Sequence, residues 1–182
     1  IATKPHQDNA FFNLKPNEAI TCWVPVNDVT KTNSPVYYYV GSNKEGLVKH
    51  IFDGNLGASL CIIKNEINKI KKKYKKKYVT LSKGDCIIHN PLVVHGSEKN
   101  SGSIDRAAFN FSIKSKKAKF QAKGVKNYYK NLDLFLKRKK KYKKMTKIDW
   151  SGRSHNFSTN DINYLVKIIK TADPLTQGKY LI

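Results

Sequence analysis

The chain has 182 residues, enough for one domain with a real core, and its 35 lysine and arginine side chains stand against 13 carboxylates, a formal net charge of +22. No apolar run approaches the roughly 18 residues that a membrane-spanning helix needs, which excludes a helical membrane anchor within this sequence and leaves a cytoplasmic setting as the expectation. Cys22, Cys61 and Cys86 are odd in number, lie in apolar runs and lack Cys-x-x-Cys spacing, so no disulfide framework is implied and buried thiols in a reducing compartment are expected.

In chain order, the first informative stretch is Lys4-Pro5-His6-Gln7-Asp8-Asn9. Residues i and i+2 of an extended segment share a face, so a strand ending in a turn there aims an imidazole and a carboxylate at one point. Strands are expected near 20–28, 35–41 and 58–63. Residues 64–77 form a lysine-rich excursion, either a helical insert or a loop. Further strands are expected near 78–81, 84–89, 91–95 and 106–114. Short apolar segments punctuated by Gly, Pro and Asn predict an antiparallel sandwich or barrel, a mainly β fold.

The run Pro91-Leu92-Val93-Val94 reads as a buried strand that delivers His95 to a cavity. His6, Asp8 and His95 then supply two nitrogens and one carboxylate, the set that holds Fe(II) on one face and leaves the opposite positions free for other ligands. Arg106 opens the next apolar stretch, and its guanidinium is suited to a paired, charge-assisted fork with a carboxylate, here that of 2-oxoglutarate. His50 and His89 are weaker candidates: His50 is read as approaching a substrate at most, and His89, at the end of an apolar strand, as a packed structural residue.

The constellation resembles the phytanoyl-CoA dioxygenase family of iron- and 2-oxoglutarate-dependent oxygenases. The resemblance is collinear over about residues 4 to 114. It runs through P-H-Q-D-N-A-F-F (5–12), T-C-W-V-P-V-N-D-V (21–29), Y-Y-V-G-S-N-K-E-G-L-V-K-H (38–50), L-S-K-G-D-C-I-I-H-N (81–90), H-G-S-E-K-N-S (95–101) and Arg106. It implies a double-stranded β-helix, a jelly-roll or cupin-like barrel, with His6, Asp8 and His95 as iron ligands. Arg106 corresponds to the arginine that grips the distal carboxylate of 2-oxoglutarate, Ser97 to a hydroxyl beside it, and Phe12 and Trp23 to pocket aromatics, for which core packing is an equal alternative. The implied reaction consumes Fe(II)-bound 2-oxoglutarate and O2, hydroxylates an aliphatic C–H bond of a small molecule, and releases succinate and CO2. Because Asp8 fills the position that related halogenases give to a small residue, hydroxylation is expected over halogenation.

Two departures from the family pattern bear on this. Gly41-Ser42-Asn43-Lys44 stands where the family often has Gly-Ser-His-Lys, which removes any substrate contact made by that histidine. The family also carries a long portion upstream of its first ligand, whereas Ile1 is five residues before His6, so a fragment lacking part of the barrel is expected, with poor activity by itself.

Of the 35 basic residues 32 are lysine. They concentrate in residues 69–77 and 115–150, as a solvated face would, and bidentate phosphate recognition favours arginine. The alternative class, a basic nucleic-acid-binding module on a degenerate, metal-free barrel, is therefore disfavoured, and a nucleic-acid demethylase is disfavoured because residues 107 to 137 contain no second arginine. Residues 116–144 turn helical, with Tyr128, Leu132, Phe135 and Leu136 on one face, predicting a basic C-terminal helix packed on the barrel. Residues 145–182 differ in character. Through Met145-Thr-Lys-Ile-Asp-Trp150, Phe157-Ser-Thr-Asn-Asp-Ile162 and Asp173-Pro-Leu-Thr-Gln-Gly178 they resemble the N-terminal arm of pyridoxal-phosphate sugar aminotransferases. A short docking extension is the other reading.

Overall fold

Alternating apolar side chains build two antiparallel sheets, and the faces that meet form the core. The structure, a computed structural model, describes residues 2–52 and 60–138. The elements are β1 (Thr3–His6), α1 (Asn9–Phe12), β2 (Leu14–Lys15), β3 (Ala19–Pro25), β4 (Val36–Tyr39), a 3-10 turn (Ser42–Glu45), β5 (His50–Phe52), β6 (Leu60–Ile62), α2 (Lys64–Lys73), β7 (Lys76–Val79), β8 (Ile87–His89), β9 (His95–Ser97), β10 (Ala108–Lys114), β11 (Lys119–Phe120) and α3 (Ala122–Arg138). One sheet has the order β1-β9-β4-β7 and a second β10-β3-β8, with small pairs β11-β2 and β5-β6. The fold is mainly β, as expected.

β4 shows how one strand serves two layers. All four of its residues are buried. Tyr38 points inward with Val36 and joins Val29, Val79, Leu81, Ile87 and Val93 in the core, against which Trp23 packs. Tyr37 and Tyr39 point outward, where Ile67 and Ile70 of α2 cover them with Ile62 and Val94. The lysine-rich excursion is therefore an amphipathic helix laid on the outer face, its isoleucines inward and its lysines in solvent, followed directly by β7.

The apolar run before His95 is not a strand. Pro91 has no N–H to give a ladder, and the Asn90 side chain accepts from the Leu92 amide (2.8 Å) while Val93 N donates to the Asn90 carbonyl (2.9 Å), closing a turn. Strand β9 begins at His95, one residue after the Val94 carbonyl accepts from the Tyr39 amide of β4 (2.9 Å). Arg106 likewise precedes its strand, since β10 begins at Ala108. Cys22 and Cys61 are buried thiols outside any disulfide, and Cys86 is half-buried instead of fully enclosed.

α3 occupies 122–138 of the stretch read as helical, and its Tyr128 ring lies 6.1 Å from Phe11 and 5.5 Å from Phe52. Residues 139–182, including the aminotransferase-like segment, lie outside the described residues. Among the described residues no helix is long and apolar enough to cross a membrane.

Candidate metal centre

His6 and His95 are cross-strand partners in the β1–β9 pair, and their ring centroids are 4.3 Å apart. Asp8 follows two residues after the end of β1, where the chain turns into α1. Its Oδ1 lies 3.8 Å from His6 Nε2 and 3.5 Å from His95 Nε2, and the three donor atoms all fall within 4.8 Å of one another.

The tautomers follow from the backbone. His6 Nδ1 donates to the Lys4 carbonyl (2.9 Å) and His95 Nδ1 to the Val93 carbonyl (3.1 Å), each two residues upstream. Both rings therefore carry their proton on Nδ1 and present the Nε2 lone pair to the Asp8 side, the arrangement in which an imidazole can ligate a metal. His50 makes the same bond, Nδ1 to the Val48 carbonyl at 2.8 Å, but its Nε2 accepts from the Gln7 amide at 3.1 Å. That lone pair is used, which sets His50 apart from the other two.

Electrostatics favours ligand-ready forms. Burial lowers the His6 pKa to about 4, helped by His95 and opposed by the Lys4 carbonyl and Asp8. Burial also lowers His95 to about 4, with Asp8 pulling the other way and His89 assisting. For Asp8, burial pushes the carboxyl up, but His95, the hydrogen bond and charge of His89, and Thr21 outweigh it and hold the group well below the usual carboxylate range. Two neutral imidazoles and a carboxylate are the protonation states a divalent metal requires.

The remaining predicted residues separate into two groups. Ser97 shares the His95 face of β9, two residues on, and its buried Oγ has no hydrogen-bond partner among the described residues. Arg106 is also in that state at one guanidinium nitrogen, with its guanidinium carbon 5.3 Å from the Trp23 ring centroid. Burial lowers its pKa, while Tyr38 opposes that effect. Asn27 holds the backbone on either side of Arg106: its side chain donates to the Asp105 carbonyl (2.6 Å) and accepts from the Ala107 amide (3.1 Å). Trp23 packs on the core cluster that includes Val36, the cross-strand partner of Ser97. Phe12 is placed differently, packing against Leu14, Ala19 and Ala118 in a small separate cluster. The ring of its neighbour Phe11, by contrast, lies edge-on to His6 at 5.9 Å.

Sequence reasoning missed Thr21 and Tyr38 and gave His89 only a packing role. Thr21 was legible in part: in the alternating strand 19–25 it shares a face with Trp23, and a hydroxyl at an inward position signals a buried partner. Beside the site, a cleft of about 470 Å³ opens between α1, β5–β6 and α3, lined by Ala10, His50, Phe52, Leu60 and Tyr128 among others.

The phytanoyl-CoA dioxygenase (PhyH) family model matches residues 2–108. The chain is 27% identical over 104 residues to the peroxisomal phytanoyl-CoA dioxygenase of Bos taurus, an alignment covering 57% of this chain and 31% of that protein. It is 32% identical over 107 residues to a phytanoyl-CoA dioxygenase domain-containing protein 1 homolog of Dictyostelium discoideum, covering 57% and 37%. The chain thus spans about a third of the length of the curated relatives it matches. Among solved structures, it superposes on the non-heme monooxygenase ThoJ with a TM-score of 0.53 at 18% identity, covering 76% of this chain and 60% of that one. On the epimerase SnoN in complex with Fe3+, alpha ketoglutarate and nogalamycin RO the TM-score is 0.52 at 23% identity, covering 70% and 47%. At such identities the likeness concerns the fold, and the two sheets are those of a double-stranded β-helix.

Proposed function

We propose, from the premise that this chain belongs to the phytanoyl-CoA dioxygenase family, that it is an Fe(II)- and 2-oxoglutarate-dependent dioxygenase that hydroxylates an aliphatic C–H bond of a small molecule. The observation that carries the reading is the convergence of His6 Nε2, Asp8 Oδ1 and His95 Nε2 with both histidine tautomers already fixed. This donor set suits ferrous iron and leaves one side open, where a metal-free, degenerate barrel would have no reason to keep it. When bound, Fe(II) with 2-oxoglutarate and O2 supplies the oxidising chemistry, yielding succinate, CO2 and a hydroxylated product.

The chain's own residues do the rest by geometry. His6, Asp8 and His95 hold the metal. Arg106 Nη1 and Ser97 Oγ are each buried without a hydrogen-bond partner among the described residues, and a buried guanidinium nitrogen left unsatisfied is costly unless an anion reaches it. The distal carboxylate of 2-oxoglutarate would satisfy both. Trp23 flanks the guanidinium, and Tyr38, fully enclosed behind His95, keeps water out of the ligand layer.

The test is Arg106→Ala. Succinate formation from 2-oxoglutarate is expected to fall by about a hundredfold, the scale of removing a charged hydrogen-bond partner, while Fe(II) binding stays within about twofold of the parent. Loss of iron binding with unchanged turnover per bound iron would contradict the role given to Arg106.

A further inference from the structure

Asp8 is held from the opposite sheet. In the sheet β10-β3-β8, Ser112, Thr21 and His89 form one cross-strand row, since Thr21 lies opposite Ser112 on one side and His89 on the other. In the facing sheet His6, His95 and Tyr38 form a second row. Asp8 lies between them and divides its two oxygens. Oδ1 faces the Nε2 atoms of His6 and His95. Oδ2 accepts a hydrogen bond from Thr21 Oγ1 at 2.6 Å and another from His89 Nε2 at 3.0 Å.

Each carboxylate oxygen has about two lone-pair directions, so the two bonds fill those of Oδ2. The Thr21 contact has the length of a charge-assisted O–H···O⁻ bond. Both donors are themselves fixed. The single Thr21 proton goes to Asp8, so Ser112 Oγ, 3.3 Å away, donates to Thr21. A carboxylate only accepts, so His89 donates through Nε2, and the Tyr38 hydroxyl is hydrogen-bonded to the other ring nitrogen, Nδ1, at 3.1 Å. Tyr38 and His89 are both buried, and the Tyr38 ring stacks on His95 at 5.6 Å. One tyrosine thus backs a ligand directly and a second ligand through His89.

We infer that Thr21 and His89 are positioning residues that hold Asp8 as a one-oxygen metal ligand, with Ser112 and Tyr38 fixing the two donors. The inference rests on the reading of His6, Asp8 and His95 as metal ligands. Binding through both carboxylate oxygens would require breaking both Oδ2 bonds, so the row Ser112–Thr21–His89 keeps a coordination position open opposite the three ligands.

The experiment uses the 182-residue chain with Co(II) as the probe, read by calorimetric affinity and by the visible d–d spectrum, beside the thermal midpoint of the metal-free protein. Parent protein is expected to bind one Co(II), and Asp8→Ala to lose it; a parent that binds none refutes the ligand reading itself. Given parent binding, Thr21→Val, which keeps shape and removes the hydroxyl, and His89→Leu are each expected to weaken Co(II) binding by about ten- to a hundredfold and to alter the d–d spectrum. Thr21→Ser restores the donor and is expected to return affinity to within about twofold of parent. The proposal is overturned if Thr21→Val and His89→Leu both bind Co(II) like the parent with an unchanged spectrum, or if Thr21→Ser loses as much as Thr21→Val, which would make packing the cause. If one variant does not fold, the other decides. If neither folds, Tyr38→Phe, which deletes only the hydroxyl behind His89, decides by the same spectral change or its absence.

Discussion

The side chain of Gln7 donates a hydrogen bond to the main-chain carbonyl of Leu92, 85 residues away in sequence, at 2.5 Å. Gln7, between His6 and Asp8 in sequence, is fully buried. The same amide nitrogen donates to the Gly46 carbonyl (2.8 Å), and Oε1 accepts from the Val48 amide (2.9 Å). One side chain therefore ties the turn that carries His6 and Asp8 to the turn that leads into His95. Gln7→Ala would remove the partner of three half-buried backbone groups, and a loss of about 2–4 kcal/mol is expected. Urea titration beside Co(II) binding checks this: unchanged stability with unchanged affinity would mean that the Gln7 bonds do not set the ligand geometry.

Gly96, between His95 and Ser97, has no room for a side chain. A Cβ there would lie 2.6 Å from the Thr3 carbonyl oxygen and 2.6 Å from the Tyr37 hydroxyl. Gly96→Ala is expected to push β1 away from β9, to cost about 1–3 kcal/mol as overpacking does, and to weaken metal binding because His6 and His95 are paired across that seam. A Gly96→Ala protein with parental melting temperature and Co(II) affinity would show that the pair tolerates the shift.

The metal-free protein should lose stability in acid well above the carboxylate range. Burial holds His6, His50 and His95 near a pKa of about 4, against 6.5 for a free histidine. Between these values the unfolded chain binds more protons than the folded one, so stability falls as pH drops from about 6.5 toward 4. Unfolding near pH 5 should take up about two to three protons from these groups. Asp8, with its pKa lowered on folding, adds a further loss below about 3.8 in the same direction. Urea midpoints of the metal-free chain at pH 7, 5.5 and 4.5 test this, and a flat series would show that these imidazoles are solvated.

Asn27 brackets Arg106 through the Asp105 carbonyl and the Ala107 amide. With each bond contributing about 1 kcal/mol, Asn27→Ala should weaken 2-oxoglutarate binding to the Co(II)-loaded chain by about three- to tenfold and leave Co(II) affinity alone. A titration in which 2-oxoglutarate binds the variant as it binds the parent would show that the loop places Arg106 without that clamp.

The grouping of His6, Asp8 and His95 was readable from sequence because i and i+2 share a face wherever a strand ends in a turn, and the third side chain needs only to terminate an apolar run. The mainly β character was readable for a similar reason: short apolar segments between turn residues leave few other ways to bury them. Where a competing local interaction decided, sequence failed. Asn90 and Pro91 turned an apolar run into a bend, and adjacent Phe11 and Phe12 took opposite surroundings once α1 fixed their directions. Which histidines keep a free Nε2 depended on what lay across the fold, since His50 and His95 bond identically to their own backbone and differ in that Gln7 reaches one of them. Strand register alone put Thr21 beside His89 and across from Ser112, 68 and 91 residues away in sequence, and so decided how Asp8 is held. A sequence specifies which side chains a strand can present on one face; only the paired sheets decide which of them meet, because register is set by the packing of whole faces.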